Sequence, residues 1–236
     1  LITLDNGFDH TKPNTFGPKG LLELNAALDA AAQADIKALA IVGKPFIFAV
    51  GADLTGVPLI TSREMALGIA KLGHKVLGRL SDFPVPTFAL VNGPAMGGGL
   101  ELALHCNYRT ISEGAAAIAL PECFLGLVPG WGGAWLLPNL IGPQKALQVI
   151  VSNPMAQNRM LKPKQVMELG IADAIFSPAD FIEQSLAWAA GVVNGDVTVT
   201  RADIARDETW DQAVDTVRAG LDAQFHGAAP APVRAV

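Results

Sequence analysis

The 236-residue chain contains only two cysteines, Cys106 and Cys123, and four histidines. Both cysteines lie in apolar stretches, which is typical of reduced, buried thiols and not of a disulfide framework. The cysteines and histidines also lack the spacing of a metal-binding cluster. The sequence therefore predicts no structural disulfide and no metal site.

Concentrated positive charge and long apolar runs are lacking as well. The formal net charge is −5, the isoelectric point is about 5.3, and the 17 Lys and Arg residues are scattered along the chain. This excludes a nucleic-acid surface, because phosphate binding requires a concentrated basic face. Apolar runs are interrupted before they reach the roughly 20 residues of a membrane span, and the first residues lack the pattern of a signal peptide. We expect a soluble, cytoplasmic protein with no membrane span.

Hydrophobic residues are plentiful, at 50% of the chain. A chain of this length can bury one sizeable core, so we expect residues 1–236 to form a single domain. About residues 1–176 are predicted to form its core and about 177–222 its C-terminal helices, while the Pro- and Ala-rich residues 227–236 are predicted to be a tail or linker. Because the chain opens without methionine in a strand-like segment, we also expect it to be part of a longer protein.

Short strand-like segments alternate with helical ones. The predicted strands are residues 1–4, 37–43, 46–49, 87–91 and 108–112. The predicted helices include residues 21–28, 143–152, 163–169, 178–194 and 201–220. A capping box of Thr61 and Glu64 opens a further helix, which extends to about Leu80. The pattern is that of an α/β fold whose helices gather towards the C-terminus.

Two glutamates, Glu101 and Glu122, lie in apolar or turn-forming surroundings. Glu101 is part of the segment 97–104, Gly-Gly-Gly-Leu-Glu-Leu-Ala-Leu, which has no polar stripe, so its side chain is predicted to be buried. Glu122 follows Leu120 and Pro121 and precedes a glycine-rich turn. A carboxylate removed from water has a raised pKa and can act as an acid or base near neutrality. The pair indicates an acid–base site, with a structural carboxylate as the alternative.

The segment 93–99, Gly-Pro-Ala-Met-Gly-Gly-Gly, lies between a predicted strand and a predicted helix. Its spacing matches neither the dinucleotide-binding fingerprint nor the P-loop. Bare backbone N–H groups at a helix N-terminus can instead bind an oxyanion, whereas the simpler interpretation is a turn that needs glycine for its torsion angles. Gly51-Ala52-Asp53 is a second strand-end turn of this kind. Two such turns with two isolated glutamates form a more specific set than either feature alone.

Several segments together resemble a known family. They are Phe48-Ala-Val-Gly-Ala-Asp-Leu54, Pro84-Val-Pro86, Val91-Asn-Gly-Pro-Ala-Met-Gly-Gly-Gly-Leu-Glu-Leu-Ala-Leu104, and Leu120-Pro-Glu122 with the glycine-rich turn that ends at Gly133. Their order and spacing resemble those of the enoyl-CoA hydratase/isomerase (crotonase) superfamily, from Leu1 to about Phe176. Asp5-Asn6, Lys12-Pro-Asn14 and Gly43-Lys-Pro-Phe46 further resemble the hydratase part of multifunctional fatty-acid oxidation proteins.

The resemblance implies a crotonase-like (ClpP/crotonase) α/β fold of repeated β-β-α units, with two roughly perpendicular sheets and C-terminal helices that mediate trimerisation. It implies that the backbone N–H groups of Ala52 and Gly98 form an oxyanion hole for a thioester carbonyl. Glu101 would help a water molecule attack C3 of a trans-2-enoyl-CoA, and Glu122 would deliver a proton to C2. The implied activity is that of an enoyl-CoA hydratase in fatty-acid β-oxidation.

Further substrate-binding positions are predicted at Lys12, Asn14, Asp53, Gly97 and Trp131. Lys12 and Asn14 lie where the family contacts the adenine and pantetheine of coenzyme A, and Trp131 either lines the acyl tunnel or caps its turn. Coenzyme A is part of the substrate, so no separate cofactor is expected. The expected partners are an acyl-CoA thioester and copies of this chain in a trimer or dimer of trimers, or a multifunctional complex.

Other functions stay open from the sequence. A Δ3,Δ2-enoyl-CoA isomerase, or another lyase or hydrolase of the family, normally needs one catalytic carboxyl, so the presence of both glutamates favours the hydratase. A non-catalytic acyl-CoA-binding or scaffold module would give the glutamates structural roles. Residues 150–155 and 158–161 depart from the family pattern, which leaves the acyl-chain length open. His74 and His105 lie in helical, partly apolar stretches and are interpreted as packing or surface residues.

Overall fold

The computed structural model describes residues 1–9 and 11–236. Its strands are β1 (Ile2–Leu4), β2 (Leu39–Gly43), β3 (Thr87–Val91), β4 (Ala95–Met96), β5 (Tyr108–Ser112), β6 (Ile118–Ala119) and β7 (Ala174–Phe176). Five of them form a parallel sheet in the order β1-β2-β3-β5-β7, and β4 pairs with β6 in a second, smaller sheet. The predicted α/β arrangement with two sheets is confirmed.

The central strands β2 and β3 are buried along their whole length. In a parallel sheet that is covered on both faces, strands form continuous apolar runs, as these two do. Their successive side chains still alternate between the faces. Leu39 and Ile41 belong to the main core, whereas Ala40 and Val42 pack in a smaller cluster with Phe181. A helix that begins at Phe181 therefore covers the second face of the sheet.

The helices surround this sheet. They are α1 (Pro18–Gln33), α2 (Arg63–Ser81), α3 (Gly98–His105), α4 (Gly133–Ile141), α5 (Pro143–Leu147), α6 (Asn153–Met155), α7 (Pro163–Leu169), α8 (Phe181–Asn194), α9 (Glu208–Phe225) and α10 (Pro230–Ala235). There are also 3₁₀ helices at Leu54–Leu59 and Glu122–Leu125 and a π-helical turn at Gln148–Ser152. The helix predicted at 163–169 is confirmed as α7, and the helix predicted at 178–194 forms as α8 but begins later, at Phe181. Within the described ranges, no helix is both long and apolar enough to cross a bilayer.

The predicted start of α2 is wrong. The residue that caps this helix is Ser62, whose Oγ accepts a hydrogen bond from Met65 N at 3.1 Å. An N-cap side chain accepts from a backbone N–H two or three residues further along. Ser62 stands at that distance from Met65, so the capping box predicted for Thr61 and Glu64 does not form.

The predicted start of α9 is also wrong, because this helix begins at Glu208 and not at residue 201. Asp207 caps the helix by accepting from Thr209 N at 2.9 Å. Arg201 instead donates to the carboxylate of Asp173 at 2.8 Å. The preceding segment is therefore held in an irregular path by its own contacts with the body of the protein.

The predicted strand 46–49 does not form. Only Ala49 makes a bridge, with Ala95 in the second sheet. Phe46 has a φ of 68°, which an extended strand does not allow. Ala49 N donates to Pro94 O at 3.2 Å. The segment is therefore attached to the glycine-rich turn as an irregular connection.

Residues 227–236 differ from the predicted tail or linker, because most of them form α10. Ala231 and Pro232 are buried, and α10 packs against α9, the π-helical turn and the 3₁₀ helix that begins at Glu122. Proline suits the first turn of a helix, where its missing N–H is not needed. The apolar side chains, including that of Val233, then pack on the core. Burial of these apolar side chains favours an ordered helix.

Candidate active site

The two glycine-containing turns meet in the structure. Gly51 has a φ of 85° and Gly97 a φ of 52°, conformations that favour glycine. A Cβ atom at Gly51 would lie 3.1 Å from the carbonyl oxygen of Met96 and 3.3 Å from the backbone nitrogen of Gly98. Glycine at position 51 therefore lets the first turn approach the N-terminus of α3.

The backbone N–H groups of Ala52 and Gly98 make no hydrogen bond within the described part of the chain. Gly98 is the first residue of α3, where backbone donors have no acceptor inside the helix. Ala52 forms a parallel bridge with Phe16, and the hydrogen bonds of that bridge involve Gly51 O and Asp53 N. The adjoining turns thus present two unpaired donors, as an oxyanion hole requires.

Glu101 lies on α3, and its predicted burial is confirmed, since only 2% of the residue is exposed. Its Oε1 accepts hydrogen bonds from Trp131 N and Gly133 N, both at 2.8 Å. Burial raises the pKa of this carboxyl from 4.5 to about 7, while the two N–H donors act in the opposite direction because they stabilise the charged form. Glu101 therefore changes charge near neutral pH.

Glu122 begins the 3₁₀ helix Glu122–Leu125. Its Oε2 is buried without a hydrogen-bond partner among the described residues. Burial, followed by the charge of Glu101, raises its pKa from 4.5 to about 8. A Cβ atom at Gly97 would lie 2.8 Å from Glu122 Oε1, so the carboxyl contacts the glycine-rich turn. The hydrogen-bonding capacity of its buried Oε2 is therefore unused.

The two carboxyls are chemically different. Glu101 has two N–H donors that favour its charged form, whereas Oε2 of Glu122 has none. The charge on Glu101 raises the pKa of Glu122, so the pair favours a single negative charge near neutrality. We assign this charge to Glu101 and the remaining proton to Glu122. The pair can then supply one base and one acid.

Trp131 contributes both its ring and its backbone. The buried ring packs against Gly98, where a Cβ atom would lie 2.4 Å from it, and its centroid is 6.4 Å from that of the Phe16 ring. The ring therefore packs directly against the glycine-rich turn. The N–H groups of Trp131 and Gly133, which position Glu101, were not predicted. The only sequence signal for them is the glycines that flank the tryptophan and let the backbone approach.

The other predicted substrate-binding residues have different surroundings. Asp53 caps a 3₁₀ helix by accepting from Thr55 N at 3.0 Å, and its hydrogen bonds with Thr55 hold its pKa below the ordinary value. Asn14 is buried, and its amide donates to two backbone carbonyl groups at 2.8 and 3.2 Å. Lys12 is exposed. Their substrate contacts stay predictions. No cluster of metal-ligating side chains occurs among residues 1–9 and 11–236.

Sequence comparison relates the chain to one protein family and to several known proteins. The family model for enoyl-CoA hydratase/isomerase matches residues 1–226. The chain is 41% identical over 144 residues to the fatty acid oxidation complex subunit alpha of Aliivibrio fischeri, a match that covers 60% of this chain and 20% of that protein. It is 33% identical over 195 residues to the ethylmalonyl-CoA decarboxylase of Xenopus laevis, covering 81% of this chain and 63% of that protein. The chain thus spans less than two thirds of the length of either relative.

Solved structures share the fold. The enoyl-CoA hydratase of Geobacillus kaustophilus superposes with a TM-score of 0.71 at 28% identity, covering 78% of this chain and 68% of that chain. The enoyl-CoA hydratase of Bacillus anthracis superposes with a TM-score of 0.71 at 22% identity, covering 99% and 83%. The second match shows likeness of fold alone. The fold predicted from the resemblance is confirmed.

Proposed function

Because the chain belongs to the enoyl-CoA hydratase/isomerase family, we propose that it adds water across the trans-2 double bond of an enoyl-CoA thioester. The observation that supports this most is the pair of differently held carboxyls, Glu101 with two N–H donors and Glu122 with an unpartnered buried oxygen. Hydration needs one group that removes a proton from water and another that delivers a proton to carbon. The two carboxyls meet this requirement.

In the proposed reaction the thioester carbonyl oxygen accepts hydrogen bonds from Ala52 N and Gly98 N. Attack of water at C3 moves the π electrons of the C2–C3 double bond towards that oxygen. The developing negative charge is stabilised by the two preorganised donors, and losing one such donor typically costs roughly 3 kcal/mol. Because both N–H groups are unpaired in the described structure, neither has to break another protein hydrogen bond to bind the oxygen.

The carboxyls carry out the proton transfers. Charged Glu101 removes a proton from water as the water oxygen bonds to C3. Protonated Glu122 delivers a proton to C2, which restores the thioester carbonyl and gives 3-hydroxyacyl-CoA. Glu101 is then protonated and Glu122 charged, and proton exchange resets the pair. Acid–base assistance of this kind contributes about 10²–10⁴-fold per group.

The relatives suggest a context for this activity. Similarity to a fatty acid oxidation complex subunit supports a role in the β-oxidation of fatty acids, in the cytoplasm. Coenzyme A arrives as part of the substrate, so we propose no separate cofactor. We further propose that the chain works in a homo-oligomer such as a trimer, or within a multifunctional complex.

Decarboxylation is a second candidate. The decarboxylase relative matches a larger share of this chain than the oxidation-complex subunit does, 81% against 60%. Isomerisation of a Δ3 double bond is a further alternative, and it normally needs a single catalytic carboxyl. Each of these reactions develops charge on a thioester oxygen, so the oxyanion donors do not distinguish them. The two differently held carboxyls favour hydration.

Hydration is measured as the loss of the conjugated-thioester absorbance with crotonyl-CoA and longer enoyl-CoAs. We expect E101Q and E122Q each to lower kcat by about 10²–10⁴-fold, because each keeps the side-chain size and removes one proton transfer. Glu113→Gln is the matched control and should retain wild-type kcat. Glu113 is exposed, and the substitution keeps its backbone hydrogen bond to Phe176 O at 2.9 Å.

A wild-type protein that binds acyl-CoA but hydrates none of these substrates would contradict the proposal. Turnover of a 3-enoyl-CoA to the conjugated isomer, or release of carbon dioxide from ethylmalonyl-CoA, would then identify the alternative reaction. Binding without any turnover, unaffected by E101Q and E122Q, would indicate a non-catalytic acyl-CoA-binding module.

A further inference from the structure

His105 is the last residue of α3, one turn after Glu101, and it is buried. Its Nε2 lies 2.8 Å from the carbonyl oxygen of Trp131, and its Nδ1 lies 3.0 Å from Oγ of Ser81. A carbonyl oxygen only accepts hydrogen bonds, so Nε2 carries the proton. Burial lowers the pKa of His105, which favours a neutral ring. The Ser81 hydroxyl lies within donor distance of both Nδ1 and the His105 carbonyl oxygen, the latter at 3.1 Å. The imidazole therefore lies between the C-terminal end of α2, which contains Ser81, and the loop that contains Trp131.

The loop that follows Gly130 is bound by both Glu101 and His105. It contains three consecutive peptide units. The outer two contribute the N–H groups of Trp131 and Gly133, which donate to Glu101 Oε1 at 2.8 Å. The middle unit contributes the Trp131 carbonyl, which accepts from His105. Because adjacent peptide units share an α-carbon, fixing the middle unit limits how far the two outer units, and their N–H groups, can be displaced from the carboxylate.

Close packing supports this arrangement. A Cβ atom at Gly132 would lie 2.8 Å from His105 Nε2, and one at Gly133 would lie 3.1 Å from Glu101 Oε1. Residues four apart in a helix lie on the same face, so α3 presents both side chains to the loop. One helix thus binds the loop at two points.

We propose that His105 is a positioning residue for Glu101: by donating to the Trp131 carbonyl, it keeps the N–H groups of Trp131 and Gly133 directed at the carboxylate. Ser81 orients the imidazole for this role. The kinetic consequence rests on the proposed function, in which charged Glu101 is the base. The effect on the Glu101 carboxyl needs no substrate and can be tested by itself.

Neighbouring charges are unchanged by a neutral substitution at His105. The charged groups that act on the imidazole are His74, which opposes its protonation, and Asp82, which favours it. Within the carboxyl pair, the charge on Glu101 raises the pKa of Glu122. A changed titration of Glu101 would therefore report on the N–H donors.

The test compares two substitutions. His105→Leu keeps a similar volume and removes the donor, whereas His105→Gln keeps an amide N–H that can reach the Trp131 carbonyl. Weaker hydrogen bonds from the two backbone N–H groups disfavour the charged carboxylate. We therefore expect H105L to raise the pKa of Glu101 by roughly one pH unit and to move the acid limb of kcat/KM to higher pH by the same amount. H105Q should retain the wild-type values.

The pKa is measured in the free protein by carbon-13 NMR of the glutamate carboxyls, with E101Q identifying the Glu101 signal. An identical Glu101 pKa in H105L and in the wild type would overturn the proposal. A shift of that pKa by the same amount in H105L and H105Q would overturn it as well. If H105L does not fold, His105→Asn replaces it, since its amide ends near the position of Nδ1. If the Glu101 titration shifts as expected in a protein that hydrates no enoyl-CoA, the positioning role stands and the hydratase proposal fails.

Discussion

Among single residues, Gly51 and Gly195 have nearly the same backbone conformation in different surroundings. Their φ angles are 85° and 82°. A Cβ atom at Gly51 would lie 3.1 Å from Met96 O and 3.3 Å from Gly98 N, whereas nothing lies within 4 Å of one at Gly195. An alanine would be strained at both positions, but it would crowd the candidate oxyanion hole only at position 51.

We expect Gly51→Ala to lower kcat for hydration by about 10²-fold, because displacement of one oxyanion donor has an effect of this size. Gly195→Ala is the matched control and should retain wild-type kcat. Both variants should lose about 1–2 kcal/mol of unfolding free energy, since an L-residue is unfavourable at positive φ. Steady-state kinetics and urea unfolding check these outcomes. Equal kcat values in the two variants would contradict a functional contact between the turns.

The burial of Glu101 could be predicted from sequence because its helix has apolar or small residues on every side. The hydrogen-bond donors to its carboxylate could not. Trp131 and Gly133 lie 30 and 32 residues further along the chain, and their N–H groups carry no residue-specific signal. His105 was predicted to be a packing or surface residue, and the sequence offered no sign of its contact with Trp131.

Among the secondary-structure elements, α3 is held at its C-terminal end by Arg109 of β5. The guanidinium donates to the carbonyl oxygens of Cys106 at 2.6 Å, Ile171 at 2.7 Å and Ala103 at 3.3 Å. Its Nη2 lies 3.8 Å from Oδ2 of Asp173, and both side chains are only 4% exposed. The helix that carries the candidate base is thereby joined to β5 and to the segment that precedes β7.

We expect Asp173→Ala to lower the unfolding free energy by about 3–5 kcal/mol, because it leaves the buried Arg109 guanidinium without its counter-charge. Arg201→Ala removes the more exposed partner, whose Nη2 lies 2.8 Å from Asp173 Oδ1, and should cost at most about 1 kcal/mol. Urea unfolding of the two variants distinguishes these values. Losses of similar size would show that Asp173 acts mainly through Arg201.

Regular elements were predictable where a local pattern determines them. The apolar runs at 37–43 and 87–91 correspond to β2 and β3, because strands of a covered parallel sheet need no polar face. The segment 46–49 is just as apolar, yet the positive φ of Phe46 prevents a strand. Residues 230–235 form a helix because tertiary packing buries side chains that composition assigned to a linker.

For the whole molecule, the two carboxyls make stability depend on pH. Folding raises the pKa of Glu101 from 4.5 to about 7 and that of Glu122 from 4.5 to about 8, chiefly through burial. Between the unfolded and folded values, the unfolded chain has released protons that the folded chain retains. Stability from this source is therefore complete below about pH 4.5 and is lost as the pH rises to about 8.

The E101Q/E122Q double variant should lack this dependence. We expect the unfolding free energy of the wild type, relative to the double variant, to fall by several kcal/mol as the pH rises across this interval. His105, whose pKa is lowered by burial, contributes equally to both proteins and cancels. Denaturant unfolding at a series of pH values provides the measurement, with E113Q expected to follow the wild type. Parallel curves for wild type and double variant would show that the carboxyls are not desolvated in solution.

The sequence by itself determined the α/β class, the family and the two carboxyls, because these depend on residue types and their order along the chain. Tertiary structure decided which carboxyl accepts two backbone N–H groups and which keeps a buried oxygen unpaired. It also decided that the turns of Gly51 and Gly98 meet. The physical reason is that desolvation and hydrogen bonding depend on the positions of distant backbone groups, and chain folding alone brings those groups within a few ångströms of each other.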